Sequence, residues 1–173
     1  MKVYIGPYKD DEDQEVKVEI DNYDTWSMDY TLAHIVIPML KQLKETKHGA
    51  PLVDMEDRPE HLQTTELDEY KTDIYHFEAW DWVMGEMIFA FESKFDDWED
   101  RFSTGEIDRI SVPCDKDGND LPEDASDDEI KYHRWDEGPN HTYKVDWDSR
   151  KAYQERIHNG FRLFGKYYES LWD

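Results

Sequence analysis

Carboxylates come nearest to a reactive arrangement in this sequence. Glu66 with Glu69, and Glu78 with Asp81, form two pairs at a spacing of three, and two such pairs facing each other could hold Mg²⁺ against a polyphosphate. Convergence is the difficulty. Nine positions separate Glu69 from Glu78, too few for two antiparallel helices of useful length. On one continuous helix Glu66 and Asp81 would stand about 22 Å apart at 1.5 Å per residue. No basic cluster adjoins them to receive phosphate. A Mg²⁺-dependent phosphohydrolase using Glu66, Glu69, Glu78 and Asp81 is therefore the last-ranked reading, behind a solvated acidic face.

The other constellations point to turns or packing. Asp115 to Asp120 reads DKDGND, with oxygens at the first, third and fifth places of a calcium loop. An EF-hand needs Gly at the sixth place and Glu at the twelfth, whereas Gly118 is fourth and Ser126 twelfth, so a plain turn is the better reading. Glu155 and His158 make an ExxH pair of the di-iron type, but it is the only one and it faces away from the Ile157 and Phe161 stripe. His34 on an apolar helix reads as a core histidine beside Pro38. Cys114 is the only cysteine, with no Cys/His motif around it, and no glycine-rich phosphate loop, GxSxG or HExxH is present. No catalytic residue and no cofactor is assigned, and a binding protein is favoured over an enzyme.

A helix expected over about 77–102 carries the most extended feature. Phe77, Trp80, Met84, Met87, Phe91, Phe95 and Trp98 share one broad stripe, with Glu78, Asp81, Gly85, Glu92, Asp96 and Glu99 on the next. Trp82 and Phe89 border the acidic stripe, where large aromatics are either covered, as by an N-terminal hairpin, or exposed as contact residues. Glu78, Asp81, Trp82, Phe89, Glu92, Asp96 and Glu99 are accordingly the candidate partner-binding residues. Their carboxylates step by about 4.5, 16, 6 and 4.5 Å along the axis, an irregular copy of nucleic-acid phosphates.

Two more helices frame this one. Over about 26–47, Met28, Leu32, Ile35, Met39 and Leu43 recur at helical spacing. Asp24, Thr25 and Ser27 are its available caps, Asp29 lies in its first turn, and Lys41, Lys44 and Lys47 load its last turns before Gly49 and Pro51. Pro38 predicts a kink. Over about 149–171 the stripe is Ile157, Phe161, Phe164, Tyr168 and Leu171, and Gly160 and Gly165 call for close approach of a neighbouring backbone.

Strands complete the architecture. Residues 2–8 and 15–21 read as a hairpin with an acidic tip at Asp10–Asp13, and Val16, Val18 and Ile20 alternate with charges as in a sheet with one wet face. Further strands are expected over 109–113, 129–135 and 141–147, with an acidic loop at about 114–129. Thr65 and Asp68 outline a capping box for a short helix through Tyr70 and Ile74, although YKTDIYHF also favours a strand. The class is α+β, three principal helices packed with a small antiparallel β-sheet in a single globular domain over 1–173.

Composition narrows the partners. The chain has 173 residues, 43 acidic and 20 basic, for a formal charge of -23, with 14% aromatic residues that supply ample packing material. Such a field repels nucleic acid and anionic membranes and favours basic protein surfaces. One cysteine and the lack of a hydrophobic leader or membrane-length apolar run point to a soluble protein of a reducing compartment.

DTWSMDYTLAHIVIPMLKQLKETKHGAP, WDWVMGEMIFAFE and NGFRLFGKYYESLWD, in that order and over about a third of the chain, resemble a group of proteins of tailed bacteriophages, including those of aquatic bacteria, that has no assigned activity. The resemblance implies a phage setting and transfers no catalytic residue. The leading expectation is a non-enzymatic acidic protein in the host cytoplasm that binds a basic protein surface of host or phage, as an inhibitor or accessory factor of a nucleic-acid-handling protein. The rival is a virion component, a connector or decoration protein, with Trp82 and Phe89 at a subunit interface. The oligomeric state is left open.

Overall fold

The computed structural model describes residues 1–10, 12–69, 72–122, 126 and 130–172. The fold is α+β, in the order β1 (Lys2–Ile5), β2 (Val16–Glu19), α1 (Met28–Thr46), α2 (His76–Glu92), β3 (Ser103–Thr104), β4 (Arg109–Cys114), β5 (Tyr132–Glu137), β6 (Lys144–Val145) and α3 (Trp147–Lys166). The described strands form three separate antiparallel ladders, β1 with β2, β3 with β6 and β4 with β5. The small sheet expected from the sequence is thus distributed over two-stranded pieces. The chain groups into two compact units, Met1–Asp96 with Tyr153–Asp173, and Asp97–Ala152, and α3 begins in the second and continues in the first.

The first unit is built on α2. Trp80, Val83, Met84 and Met87 are fully buried, and Ala79, Ile88, Ala90 and Phe91 are buried around them, so this helix is apolar nearly all round, as a central helix must be. Ala33 and Leu40 of α1 and Leu163 of α3 close on it, with Tyr167 just beyond α3. Phe91 receives Phe161 and Phe164 edge-on at 5.1 and 4.9 Å, a preferred geometry for aromatic pairs.

Several expectations need correction. The helix predicted to reach 102 ends at Glu92, followed by a 3₁₀ turn at Ser93–Phe95, an extended Asp96 and a second 3₁₀ turn at Trp98–Phe102. Ser93 Oγ donates to the Ala90 carbonyl at 2.7 Å, and this side-chain competition, with the poor helix formers Asp96 and Asp97 next, stops a helix that apolar periodicity alone would extend. The helix expected between Thr65 and Ile74 is a tight loop. Asp68 N–H donates to Thr72 O at 2.7 Å and its Oδ1 accepts from Thr72 N–H at 2.8 Å, next to a Leu67–Asp73 bridge; Tyr70 and Lys71 lie outside the described residues.

α1 has its expected span and runs through Pro38 without a break, but turns a different face inward. Ala33 and Leu40 are buried, and Val36, Ile37 and Leu43 pack on the core, while Met28, Leu32 and Met39 stay 42–59% exposed. The Ala33–Leu40 face is also the face of Lys44 and Lys47, and that rotation delivers those lysines to α2. His34 is exposed rather than in the core, its ring lying 5.1 Å from Tyr30 and 4.5 Å from Phe95. On α3 the buried positions are Ile157, Gly160 and Leu163, and Tyr168 is exposed.

Within the second unit β4 and β5 pair from Arg109↔Glu137 to Cys114↔Tyr132, so the strand expected over 129–135 lies slightly later. Asp115–Asp120 is a turn: Asp115 Oδ1 accepts from the N–H groups of Asp117 and Asn119, both at 2.8 Å, and Gly118 takes φ +84°, a conformation that costs glycine nothing. β6 is shorter than expected because Asp146 accepts the Ser149 N–H at 3.1 Å and caps α3 two residues early. Asp11 of the hairpin tip, residues 123–125 and 127–129 of the acidic loop, and Asp173 lie outside the described residues.

Candidate functional site

The acidic stripe of α2 meets the lysines of α1. Lys47 Nζ lies 2.5 Å from Asp81 Oδ1, Lys41 Nζ lies 2.6 Å from Glu92 Oε1, and beyond α2 Lys94 Nζ lies 2.7 Å from Asp29 Oδ2. Between these pairs a Cβ on Gly85 would be 3.2 Å from Lys44 Nζ, so this gap in the stripe makes room for the third lysine. Two of the candidate partner-binding carboxylates, Asp81 and Glu92, are therefore engaged within the chain. Glu78 is exposed on the first turn of α2, where a negative charge is favourable.

The other candidates separate. Asp96 stands in extended backbone past α2, and Glu99, in the second unit, pairs with Arg150 there. The row of carboxylates imagined along one helix does not exist as a row, because α2 stops at Glu92. Trp82 is half-buried against the core. Phe89 is covered by α3 rather than by the hairpin: Tyr153 meets it edge-on at 5.1 Å, and the Arg156 guanidinium lies 3.8 Å over its ring.

Three ion pairs set in buried positions were not foreseen. Arg58 donates to both oxygens of Asp73 at 2.9 and 3.0 Å and twice to the Val53 carbonyl, closing the loop between α1 and α2. Glu86, inside the apolar part of α2, receives Arg156 at 2.7 and 2.9 Å. Asp57 is buried and takes Lys166 at 2.6 Å, the Tyr167 hydroxyl at 2.8 Å, and Arg162. Glu86 carried a readable signal, since a charge among Val83, Met87 and Ala90 requires a partner; Asp57 and Arg58, in a polar loop without period, carried none.

Electrostatics follow from these contacts. Burial pushes the Asp57 carboxyl up, but hydrogen bonds from Lys166, Arg162 and Tyr167 together outweigh it and hold the group below its ordinary value of 3.8. Arg58 lowers the Asp73 carboxyl in the same direction. Burial, together with the Asp57 carboxylate, pushes the Tyr167 phenol up.

Among the described residues, metal-binding geometry is limited to one place. Among the described residues only Asp54, Glu56 and Asp57 bring three ligand-type groups within 4.8 Å of one another, and the Lys166 ammonium already sits among them, at 2.7, 3.1 and 2.6 Å. Glu66, Glu69, Glu78 and Asp81 do not form such a group. Glu66 and Glu69 are exposed on the loop closed by Asp68, Glu78 borders an open cavity of about 540 Å³ at the start of α2, and Asp81 is held by Lys47. Glu155 and His158 are exposed on α3. A larger, apolar groove of about 810 Å³ runs between Met39 and Leu43 of α1 and Phe164, Tyr168 and Leu171.

Among the described residues no helix is long and apolar enough to cross a membrane. No protein-family model matches the chain, and neither a curated protein nor a solved structure shows significant similarity to it.

Proposed function

We propose that this chain is an acidic phage-type protein that acts, without catalysis, by docking onto a basic protein surface of host or phage. One observation carries this reading. At least twelve of the 20 basic side chains are tied to the chain's own carboxylates, from Lys2 and Lys9 at one end to Arg162 and Lys166 at the other. The formal charge of -23 therefore falls on surplus carboxylates, exposed at Glu60, Glu66 and Glu69 in the first unit and at Asp97, Asp100, Glu106 and Asp117 in the second. Such a field accelerates encounter with basic surfaces and turns away polyanions. A place where nucleic acid otherwise binds is the natural target, in the host cytoplasm. A regular row of carboxylates on one helix does not supply the contact, since Asp81 and Glu92 are engaged by lysines.

Affinity capture from infected host cells tests it across salt from about 50 to about 500 mM, over which the screening length falls severalfold. The expected result is a basic protein released progressively by salt and competed off by DNA. Capture that neither salt nor DNA disturbs would overturn the reading. A second reading, a virion component, is favoured by the uncovered aliphatic face of the β1–β2 ribbon, a surface suited to assembly. Mass spectrometry of purified particles decides between them, a stoichiometric signal supporting the virion role.

A further inference from the structure

α1 carries a second apolar face that the first unit leaves uncovered. Met28, Leu32 and Met39 lie on it at helical spacing and are exposed, with Ile35 and Val36 half-buried between them. Toward the end of α1 this face becomes one wall of the apolar groove of about 810 Å³, through Met39, Leu43 and Thr46, and Phe164, Tyr168 and Leu171 form the other wall. Tyr168 and Trp172 are 64% and 69% exposed. From Met28 to Thr46 the helix is about 27 Å long at 1.5 Å per residue, and an uncovered apolar surface of that extent marks a place of contact.

Charge says what fits there. Lys41 and Lys47 of α1 reach Glu92 and Asp81 of α2, and Lys44 lies against Gly85 of the same helix, so the cations at this end of α1 have turned away from the groove. On the other wall Arg162 is held by Asp57, and Lys166 by Asp54, Glu56 and Asp57. What stands beside the lining residues without compensation is acidic. Glu45, next to Thr46, and Glu169, next to Tyr168, are exposed, and among the described residues neither has an ion pair.

We infer that the groove receives a cationic amphipathic helix of the basic partner, its aliphatic stripe against Met39, Leu43, Phe164 and Leu171 and its lysines or arginines against Glu45 and Glu169. This inference rests on the docking reading above and gives that reading a place on the chain. The same two carboxylates disfavour a second copy, because an isologous contact brings like charges together between two chains of formal charge -23. They disfavour an anionic amphiphile for the same reason. Met28 and Met39 suit the role, since an unbranched thioether side chain adapts to the helix laid on it, and Tyr168 and Trp172 are of the aromatic type that anchors interfaces.

The probe is a synthetic peptide of about 18 residues, matched in length to α1, made of leucine and lysine with the leucines on one helical face. Its control has the same composition in scrambled order. Calorimetric titration into the full chain at about 150 mM salt, where long-range attraction is screened, should show the amphipathic peptide binding one to one and at least about tenfold tighter than the scrambled one, a factor worth 1.4 kcal/mol. Met39→Glu should remove that preference, whereas Ile107→Glu, an equally exposed aliphatic position outside the groove, should keep it. Glu45→Lys should weaken binding by about fivefold, and Asp117→Lys, the same change of charge in the second unit, should not. Equal binding of the two peptides, a preference indifferent to Met39→Glu, or a dimer of the chain that Met39→Glu abolishes would each overturn the inference. Capture from infected cells separates it from the reading it rests on. A salt-released basic protein held equally by the parent and by Met39→Glu overturns the groove and leaves that reading standing, whereas no such protein with the parent overturns the reading and leaves the peptide titration to decide the groove.

Discussion

Gly160 of α3 crosses Glu86 of α2 so closely that a Cβ on the glycine would lie 2.3 Å from the Glu86 carbonyl oxygen and 2.5 Å from the Ala90 Cβ. One turn away, Arg156 of α3 holds the Glu86 carboxylate. Glu86 therefore joins the two helices through both its backbone and its side chain. The expectation of close backbone approach holds at Gly160 and fails at Gly165, where an added Cβ would meet nothing within 4 Å.

Opposite outcomes follow for the two glycines. Gly160→Ala should destabilise the protein by on the order of 2 kcal/mol, because the helices must separate and the lost packing exceeds the gain in helix propensity. Gly165→Ala should stabilise it by about 0.5–1 kcal/mol, with no clash to offset that gain. Urea unfolding midpoints of the two variants and the parent measure both.

Arg58 and Asp73 have side chains only 2% and 7% exposed. Arg58→Leu should cost about 3–5 kcal/mol by leaving a buried carboxylate without its cation. Adding Asp73→Asn should recover part of that loss, and a double-mutant cycle from denaturation curves gives the coupling.

Acid should loosen the first unit through Asp57 and Asp73. Both carboxyls titrate lower in the folded chain than their ordinary 3.8, so their contribution is full above that value and is lost as pH falls through the folded-state values. Tyr167 acts in the opposite sense. Its phenol titrates above the ordinary 10.0, so its contribution is full below 10 and is lost as pH rises through the raised value. Melting temperatures followed from neutral pH in both directions should fall on both limbs, and Tyr167→Phe should flatten the alkaline one.

Mg²⁺ should raise the melting temperature no more than monovalent salt of equal ionic strength, because Lys166 already supplies the cation among Asp54, Glu56 and Asp57. In Lys166→Met a Mg²⁺-specific rise should appear, as three crowded carboxylates lose their ammonium. Differential scanning fluorimetry with and without the ion compares the two proteins.

Local signals in the sequence were sufficient for the α+β class, the span of α1, the starts of α2 and α3, the β4 strand, the Asp115 turn and the alternation of the ribbon, whereas α3 ends at Lys166 rather than near 171, with a 3₁₀ turn at Tyr168–Ser170. Each depends on neighbours a few residues apart, where periodicity and turn chemistry act directly. Which face of a helix is buried was not legible. α1 presents two apolar faces at helical spacing, and the one that includes Lys44 and Lys47 turns inward because the acidic stripe of α2 lies opposite. The end of α2 was decided by Ser93 turning back to the Ala90 carbonyl, which removed Asp96 and Glu99 from the imagined row. Asp57 and Arg58 gained their charged partners from residues 15 to 109 positions away, a separation across which no spacing rule operates. Charge was countable from the sequence alone. Where that charge is cancelled and where it is left facing outward depended on which lysines and arginines the folded chain brought to which carboxylates.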